Sequence, residues 1–337
     1  MKRLGAVGLV AAVIAGIGTA AFVLRADDGT TEAIGTAADA LVAGGVPAVL
    51  VRVRDGNEQP VELQRGDASV GDRFRVGSVT KTFVAAAALM LADEGRLSLD
   101  DPVDRHVLGL LRDGDRVVVR DLLDHTAGLF DYTSVRELRE GDRSPRALVD
   151  LTNTQDRNPG AYSSTNYLAL GLVLEAASGR SLGDLLEDVF TRFGLEGTSF
   201  DPGRVRGPYL HGHERALRDG IATGRLRDTA ARTARSTWAA GAVVSTAADL
   251  ERFFTRLLAS ELGRRMTPVR ASRFGLGLVR FETECGTAVG HTGNVLGTVT
   301  VVWARGGRVL VAAANVFPLT PDQEAAFQRL LVRAFCG

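Results

Sequence analysis

The nine residues Phe83–Leu91 read Phe-Val-Ala-Ala-Ala-Ala-Leu-Met-Leu, a helical run with no polar face. A helix that is apolar on every side must be covered on every side, so the chain has to build a core large enough to surround it. With 337 residues, 45% of them hydrophobic, it can do so as one large domain or two closely packed lobes. Before this run, strand-like alternation at Val46–Asp55 and Val61–Gln64 flanks Gly56-Asn57 and predicts a β-hairpin. After it, as far as about Arg235, the pattern is mostly helical and irregular. Tyr167–Ala177 stops at Gly179, and Leu182–Phe193 stops at Gly194.

The last third returns to strands. Thr246-Ala247-Ala248-Asp249 opens a helix to Leu258, and strands follow at Gly275–Glu282, Thr298–Ala304 and Arg308–Val316. A final helix begins at Thr320-Pro321-Asp322-Gln323 and runs to Cys336. Strands thus come from both ends of the chain. This order predicts an α+β fold: an antiparallel sheet built from both termini, flanked by helices, with a largely helical insert lobe. The expected division is an α/β lobe from residues 32–77 and 236–337 and a helical lobe from 78–235.

Met1-Lys2-Arg3 precedes Leu4–Leu24, which carries no charge. Residues 1–31 therefore read as a signal peptide or an N-terminal membrane anchor with a short linker. The 32–337 domain is expected to be extracytoplasmic, either secreted or membrane-anchored. A formal net charge of zero supplies no field to draw the chain to nucleic acid. Cys285 and Cys336 are expected to pair in an oxidising compartment. No cysteine pattern suggests zinc, and no metal or organic cofactor is implied; a monomer is expected.

Nearly all the cationic residues are arginine, and lysine occurs only as Lys2 and Lys81. Arginine keeps its proton at any working pH, whereas a desolvated lysine can act as a base. Ser78 and Lys81 are three residues apart at the start of the apolar helix, so they share a face. A serine hydroxyl becomes a useful nucleophile when a base within reach takes its proton, and the free N–H groups of a helix start suit developing negative charge.

Arg73-Phe74-Arg75-Val76-Gly77-Ser78-Val79-Thr80-Lys81 resembles the active-site segment of the class C β-lactamase-like serine hydrolases, a family that includes secreted D-alanyl-D-alanine carboxypeptidase/transpeptidases. Similar segments are Glu94–Val103, Leu122–Leu129, Tyr162–Tyr167, Gly275–Leu278, Gly290–Gly293 and Phe335–Gly337, so the resemblance covers nearly all of the chain from about residue 32. It implies a serine β-lactamase/DD-peptidase-like fold and an acyl-enzyme on Ser78, with Lys81 as its base and Tyr162 shuttling a proton to the leaving group. A cationic Lys81 beside Tyr162 would favour the phenolate. His291, Thr292 and Gly293 would line the cleft opposite Ser78, and the backbone N–H groups of Ser78 and Asn294 would form the oxyanion hole. Trp238 is a candidate cleft wall.

Two positions depart from the family pattern. Ser164 stands where the second motif usually has asparagine, and a hydroxyl can keep only some of the contacts of an amide. Val279 stands where the peptidase has the arginine that holds a terminal carboxylate, and Arg280 should face the other side of the sheet. The implied function is a D-alanyl-D-alanine carboxypeptidase-like hydrolase, or a related esterase or amidase. Its substrate would be a small molecule or a peptidoglycan peptide, with β-lactams as acylating inhibitors. The alternative is a penicillin-binding-like protein that binds peptidoglycan or β-lactam with little turnover.

Other signals are weaker. Gly179-Arg180-Ser181-Leu182-Gly183 matches a nucleophile elbow, but a helical pattern precedes it and Ser181 suits a helix cap. His211-Gly212-His213-Glu214 resembles a metal cluster without a third ligand and reads as a surface loop. Arg65-Gly66-Asp67 reads as a turn. His125 reads as a semi-buried, hydrogen-bonded structural histidine.

Overall fold

The computed structural model describes residues 28–337 except 140, 206, 219, 220 and 268–272. The Leu4–Leu24 run, read as a signal peptide or membrane anchor, lies outside the described residues. Six strands form the main sheet: β1 (Ala48–Asp55), β2 (Val61–Gly66), β3 (Val279–Thr283), β4 (Gly286–Val295), β5 (Thr298–Arg305) and β6 (Arg308–Ala314). Their spatial order is β2-β1-β6-β5-β4-β3, and every neighbouring pair is antiparallel. β1 pairs with β6 through Val51↔Ala312, so the first and last strands lie side by side, as the order of patterns predicts.

The sheet is covered on both faces. Val309, Val311 and Ala313 of β6 join the larger core with the helical insert, while Leu310, Ala312 and Ala314 join a second core. That second core is closed by α1 (Asp28–Ala43) and by the C-terminal helix Pro321–Cys336. Two-sided burial explains why the strand reads Val-Leu-Val-Ala-Ala-Ala with no polar alternation.

The apolar run lies in α2 (Thr80–Asp93), where every residue from Thr80 to Leu89 is buried. α3 (Ser164–Ser178) and α4 (Ala247–Ala259) pack near it. Phe83 stacks on Phe253 with ring centroids 4.1 Å apart and meets Phe190 edge-on at 5.6 Å. Burying a phenylalanine completely contributes about 1.5–3 kcal/mol, so this contact set fixes α2 firmly behind the site. Buried Glu251 of α4 accepts from Arg52 at 3.1 Å and from Arg54 at 2.5 Å, tying the helix to β1.

Helix starts follow the caps in the sequence. The Ser181 hydroxyl accepts from Asp184 N at 3.2 Å and that of Thr246 from Asp249 N at 3.0 Å. Thr320 and Gln323 complete a reciprocal capping box. Two readings are corrected. Gly275–Leu278 is a tight turn and the strand starts at Val279; Gly277 has φ +74°, and a Cβ there would lie 2.4 Å from the Cβ of Ala85. His213–Arg218 and Ile221–Asp228 form an antiparallel hairpin inside the stretch read as helical and irregular, so His213 and Glu214 open a strand and are not loop residues. The Asp219-Gly220 pair in the sequence is the hairpin signal that would have found it.

Cys285 and Cys336 are joined, with Cα atoms 5.4 Å apart. The bond links the β3–β4 turn to the end of the last helix.

Candidate active site

A short strand, Arg73–Arg75, leads into a single 3-10 turn, Gly77–Val79, that carries Ser78 to the mouth of α2. β4 runs past this turn. Its pairing with β3 ends at Val279↔Gly290, so among the described residues no strand pairs with 291–295 on that side. The two backbones come unusually close. A Cβ on Gly77 would lie 2.7 Å from Asn294 N, and one on Gly293 would lie 2.1 Å from Val76 O and 2.9 Å from Ser78 N. Glycine at both positions lets the Ser78 turn and the β4 backbone at Asn294 approach this closely.

Lys81 is fully buried one helical turn from Ser78. Its Nζ lies 2.9 Å from Ser78 Oγ, 2.9 Å from the Ala240 carbonyl and 3.4 Å from Ser164 Oγ. Burial lowers its pKa to about 7, opposed in part by the charge of Asp131. A neutral amine has two N–H donors and one lone pair. Ala240 and Ser164 can take the donors, leaving the lone pair for the Ser78 proton.

Tyr162 stands over the same atoms. Lys81 Nζ is 5.0 Å from its ring centroid, and its hydroxyl is within hydrogen-bond reach of Ser78 and Ser164. Burial raises its pKa above the usual phenol value, outweighing those hydrogen bonds. The expectation of a phenolate sustained by a cationic Lys81 is therefore corrected: burial favours the protonated phenol on Tyr162 and brings Lys81 down to where the neutral amine is populated near pH 7.

Two histidines flank this group, and both are held neutral. His291 Nδ1 meets the Thr292 carbonyl at 2.6 Å, and burial, followed by the charge of Lys81, lowers its pKa to about 3. His125, buried with φ +62°, has Nδ1 3.3 Å from Ser163 N and 3.2 Å from Asn166 Nδ2. Its pKa is lowered well below the usual value, mainly by burial. The hydrogen-bonded reading of His125 stands, with the addition that its ring lies 4.4 Å from that of Tyr162.

Ser78, Tyr162, His291, Thr292, Gly293 and Asn294 all line one cleft of about 420 Å³. Val279, Phe274 and Phe281 add apolar wall to it, and exposed Arg273 completes one side.

A family model described as Beta-lactamase matches residues 34–334. This chain belongs to the Beta-lactamase family. Its members are serine hydrolases, and the architecture above is theirs. The structure of a D-stereospecific amidohydrolase from Streptomyces sp. superposes with a TM-score of 0.79 at 30% identity, covering 91% of this chain and 98% of that one. A penicillin-binding protein of Bacillus subtilis (strain 168) is 31% identical over 136 residues, 37% of this chain and 30% of its own length. A teichoic acid D-alanine hydrolase of Staphylococcus aureus (strain MRSA252) is 23% identical over 256 residues, 72% of this chain and 62% of its own length. This chain thus spans less than two thirds of either curated relative.

Within this Beta-lactamase-family site, the departures read from the sequence have definite places. Ser164 keeps the lysine contact but is buried behind the cleft and does not line it. Val279 lines the cleft, whereas Arg280 is exposed and its Nε lies 2.9 Å from Glu282, so the predicted strand register holds. Trp238 is not among the cleft-lining residues. It packs on α3, where a Cβ at Gly171 would lie 2.6 Å from its ring, and its short turn supplies the Ala240 carbonyl.

Sequence reading missed Ala240, Asp131, Arg273 and Phe274. A backbone acceptor leaves no residue signature, but Arg273-Phe274 directly precedes the recognised Gly275–Leu278 segment and could have been included with it. In the His211–Glu214 segment, His211 Nδ1 meets Asp228 at 3.2 Å and His213 Nδ1 meets the Asn315 carbonyl at 3.2 Å.

Proposed function

We propose that this chain is an extracytoplasmic acyl-transfer hydrolase that cleaves an amide or ester bond next to a D-configured residue through an acyl-enzyme on Ser78. The observation that carries the reading is the buried Lys81 amine, 2.9 Å from the Ser78 hydroxyl with a pKa lowered to about 7. As Ser78 Oγ bonds to the substrate carbonyl carbon, its proton passes to Lys81 Nζ. The oxyanion forms beside the backbone N–H groups of Ser78 and Asn294, where losing one such donor typically costs about 2.7–4 kcal/mol. Tyr162 gives its proton to the departing nitrogen or oxygen as that bond breaks, and recovers one from the Lys81 ammonium through the Ser164 hydroxyl that both can reach. Water then repeats the sequence on the acyl-enzyme, with Lys81 taking the water proton and Ser78 leaving.

Likeness to the amidohydrolase over nearly its whole length supports the D-configured amide, and the uncharged Leu4–Leu24 run supports export. Mass spectrometry of the protein with a penicillin, alongside rates on a D-Ala-D-Ala peptide, a D-amino acid amide, a short ester and a cephalosporin, tests the reading. A mass increase on Ser78 with turnover of at least one substrate is expected. Labelling with no turnover would favour a binding protein, and no labelling by any acyl donor would overturn Ser78.

A further inference from the structure

The described lining of the cleft contains one ionised side chain, Arg273, and no carboxylate. Its backbone is fixed. The Arg273 carbonyl accepts from Arg280 N at 2.8 Å, Phe274 bridges to Val279, and Gly275 N donates to the Leu278 carbonyl at 2.8 Å. The side chain is exposed, with its guanidinium carbon 5.2 Å from the centroid of the Phe274 ring. Packing over an aromatic ring places a guanidinium while leaving its in-plane N–H fork open to an acceptor. Among the described residues, no carboxylate forms an ion pair with it. The other charges nearby are engaged: Arg280 is held by Glu282, and Asp131 accepts from Ser164 N at 3.1 Å and from Thr133 N at 3.2 Å.

A substrate ammonium in this cleft would meet a like charge and find no acid. A substrate carboxylate would meet a fork of donors matched to its two oxygens. We propose that Arg273 is the anion-binding residue of this cleft, selecting acylated amino acids or peptides with a free carboxylate near the scissile bond over free amines. The inference rests on the reading of Ser78 as the acylated residue. Arg273 also offsets Val279: the cation missing from the strand is supplied by the turn just before it.

The test uses two matched esters with one N-acetyl-D-alanyl acyl group, one carrying D-lactate with its free carboxylate and the other the neutral D-lactamide. The ratio of their kcat/KM values is measured for wild type, Arg273→Gln and Arg273→Lys. It should favour the acid in wild type and fall about fivefold in Arg273→Gln, the upper end for a solvent-screened charge contact. Arg273→Lys should recover part of it, and the wild-type ratio should shrink as salt rises. A ratio that neither Arg273→Gln nor salt moves overturns the proposal.

Binding separates this from failure of the acyl-enzyme reading. In a Ser78→Ala background, calorimetry gives Kd for N-acetyl-D-alanyl-D-alanine and its carboxamide, with and without Arg273→Gln. A fall in that preference supports Arg273 even where Ser78 takes no acyl group. An unmoved preference with Ser78 acylated in the parent protein overturns Arg273 and leaves the catalytic reading standing.

Discussion

At the residue scale, the site depends on where one proton sits. Burial lowers the Lys81 pKa to about 7, while His291, lowered to about 3, and His125, also lowered, stay neutral across the working range. Tyr162 keeps its proton because its pKa is raised, and Asp131 is the acidic neighbour that opposes the shift on Lys81. The ascending limb of kcat/KM against pH should therefore belong to Lys81 and have its midpoint near 7. Lys81→Arg keeps a cation that cannot act as a base, so it should lose the limb and at least about two orders of magnitude in rate, as should Ser78→Ala in rate. A limb that persists in Lys81→Arg would assign the titration to another group. Stability follows the same proton. An unfolded lysine titrates near 10.5, so between about 7 and 10.5 the unfolded chain binds more protons than the folded one. The contribution of Lys81 to stability should therefore rise with pH across that window, the charge-burial cost being fully felt below it. The Ser-x-x-Lys spacing was legible in the sequence because both residues lie on one turn. The shift on Lys81 was not, because it comes from burial and from residues far along the chain.

At the element scale, the proposed acylation site rests on the approach of β4 residues 291–295, which pair with β5, to the Ser78 turn. Helix starts were readable because a cap is a local contact, as at Ser181, Thr246 and Thr320. The strand expected at Gly275 failed because Gly277 turns the backbone where it meets α2, a contact between segments nearly 200 residues apart. Gly293→Ala tests the β4 approach. The new Cβ would sit 2.1 Å from Val76 O, so one backbone must move. Displacement should cost about 1–3 kcal/mol of stability, as for other overpacked sites. Spoiling the donor pair should also lower acylation by about 100-fold. Thermal unfolding and the rate of penicillin labelling measure the two effects. Labelling within twofold of wild type would mean that the oxyanion donors do not depend on this approach.

At the scale of the whole molecule, the sheet separates two cores with different tasks. The larger holds α2 and, at its edge, Ser78 and Lys81; the smaller is closed by α1 and the C-terminal helix. Strand patterns at the two ends of the chain made this joining of termini legible, while the pairing partner of each strand emerged only from the fold. The Cys285–Cys336 bond belongs to the second core. It fastens the end of the chain to the β3–β4 turn across a sequence separation of 51 residues. Closing a loop of that length in the unfolded chain is worth about 4 kcal/mol on the chain-entropy estimate, before any native strain is counted. A Cys285→Ser, Cys336→Ser double variant should lose stability of that order in denaturant titration. Ser78 should still be labelled at the wild-type rate under conditions where the variant is folded, because neither cysteine lines the cleft. Equal unfolding midpoints for the two proteins would show that the packing of α1 on the last helix already holds the C-terminus in place. Slower labelling in a fully folded variant would show instead that β3 passes the loss of the crosslink along its length to Val279 and the cleft.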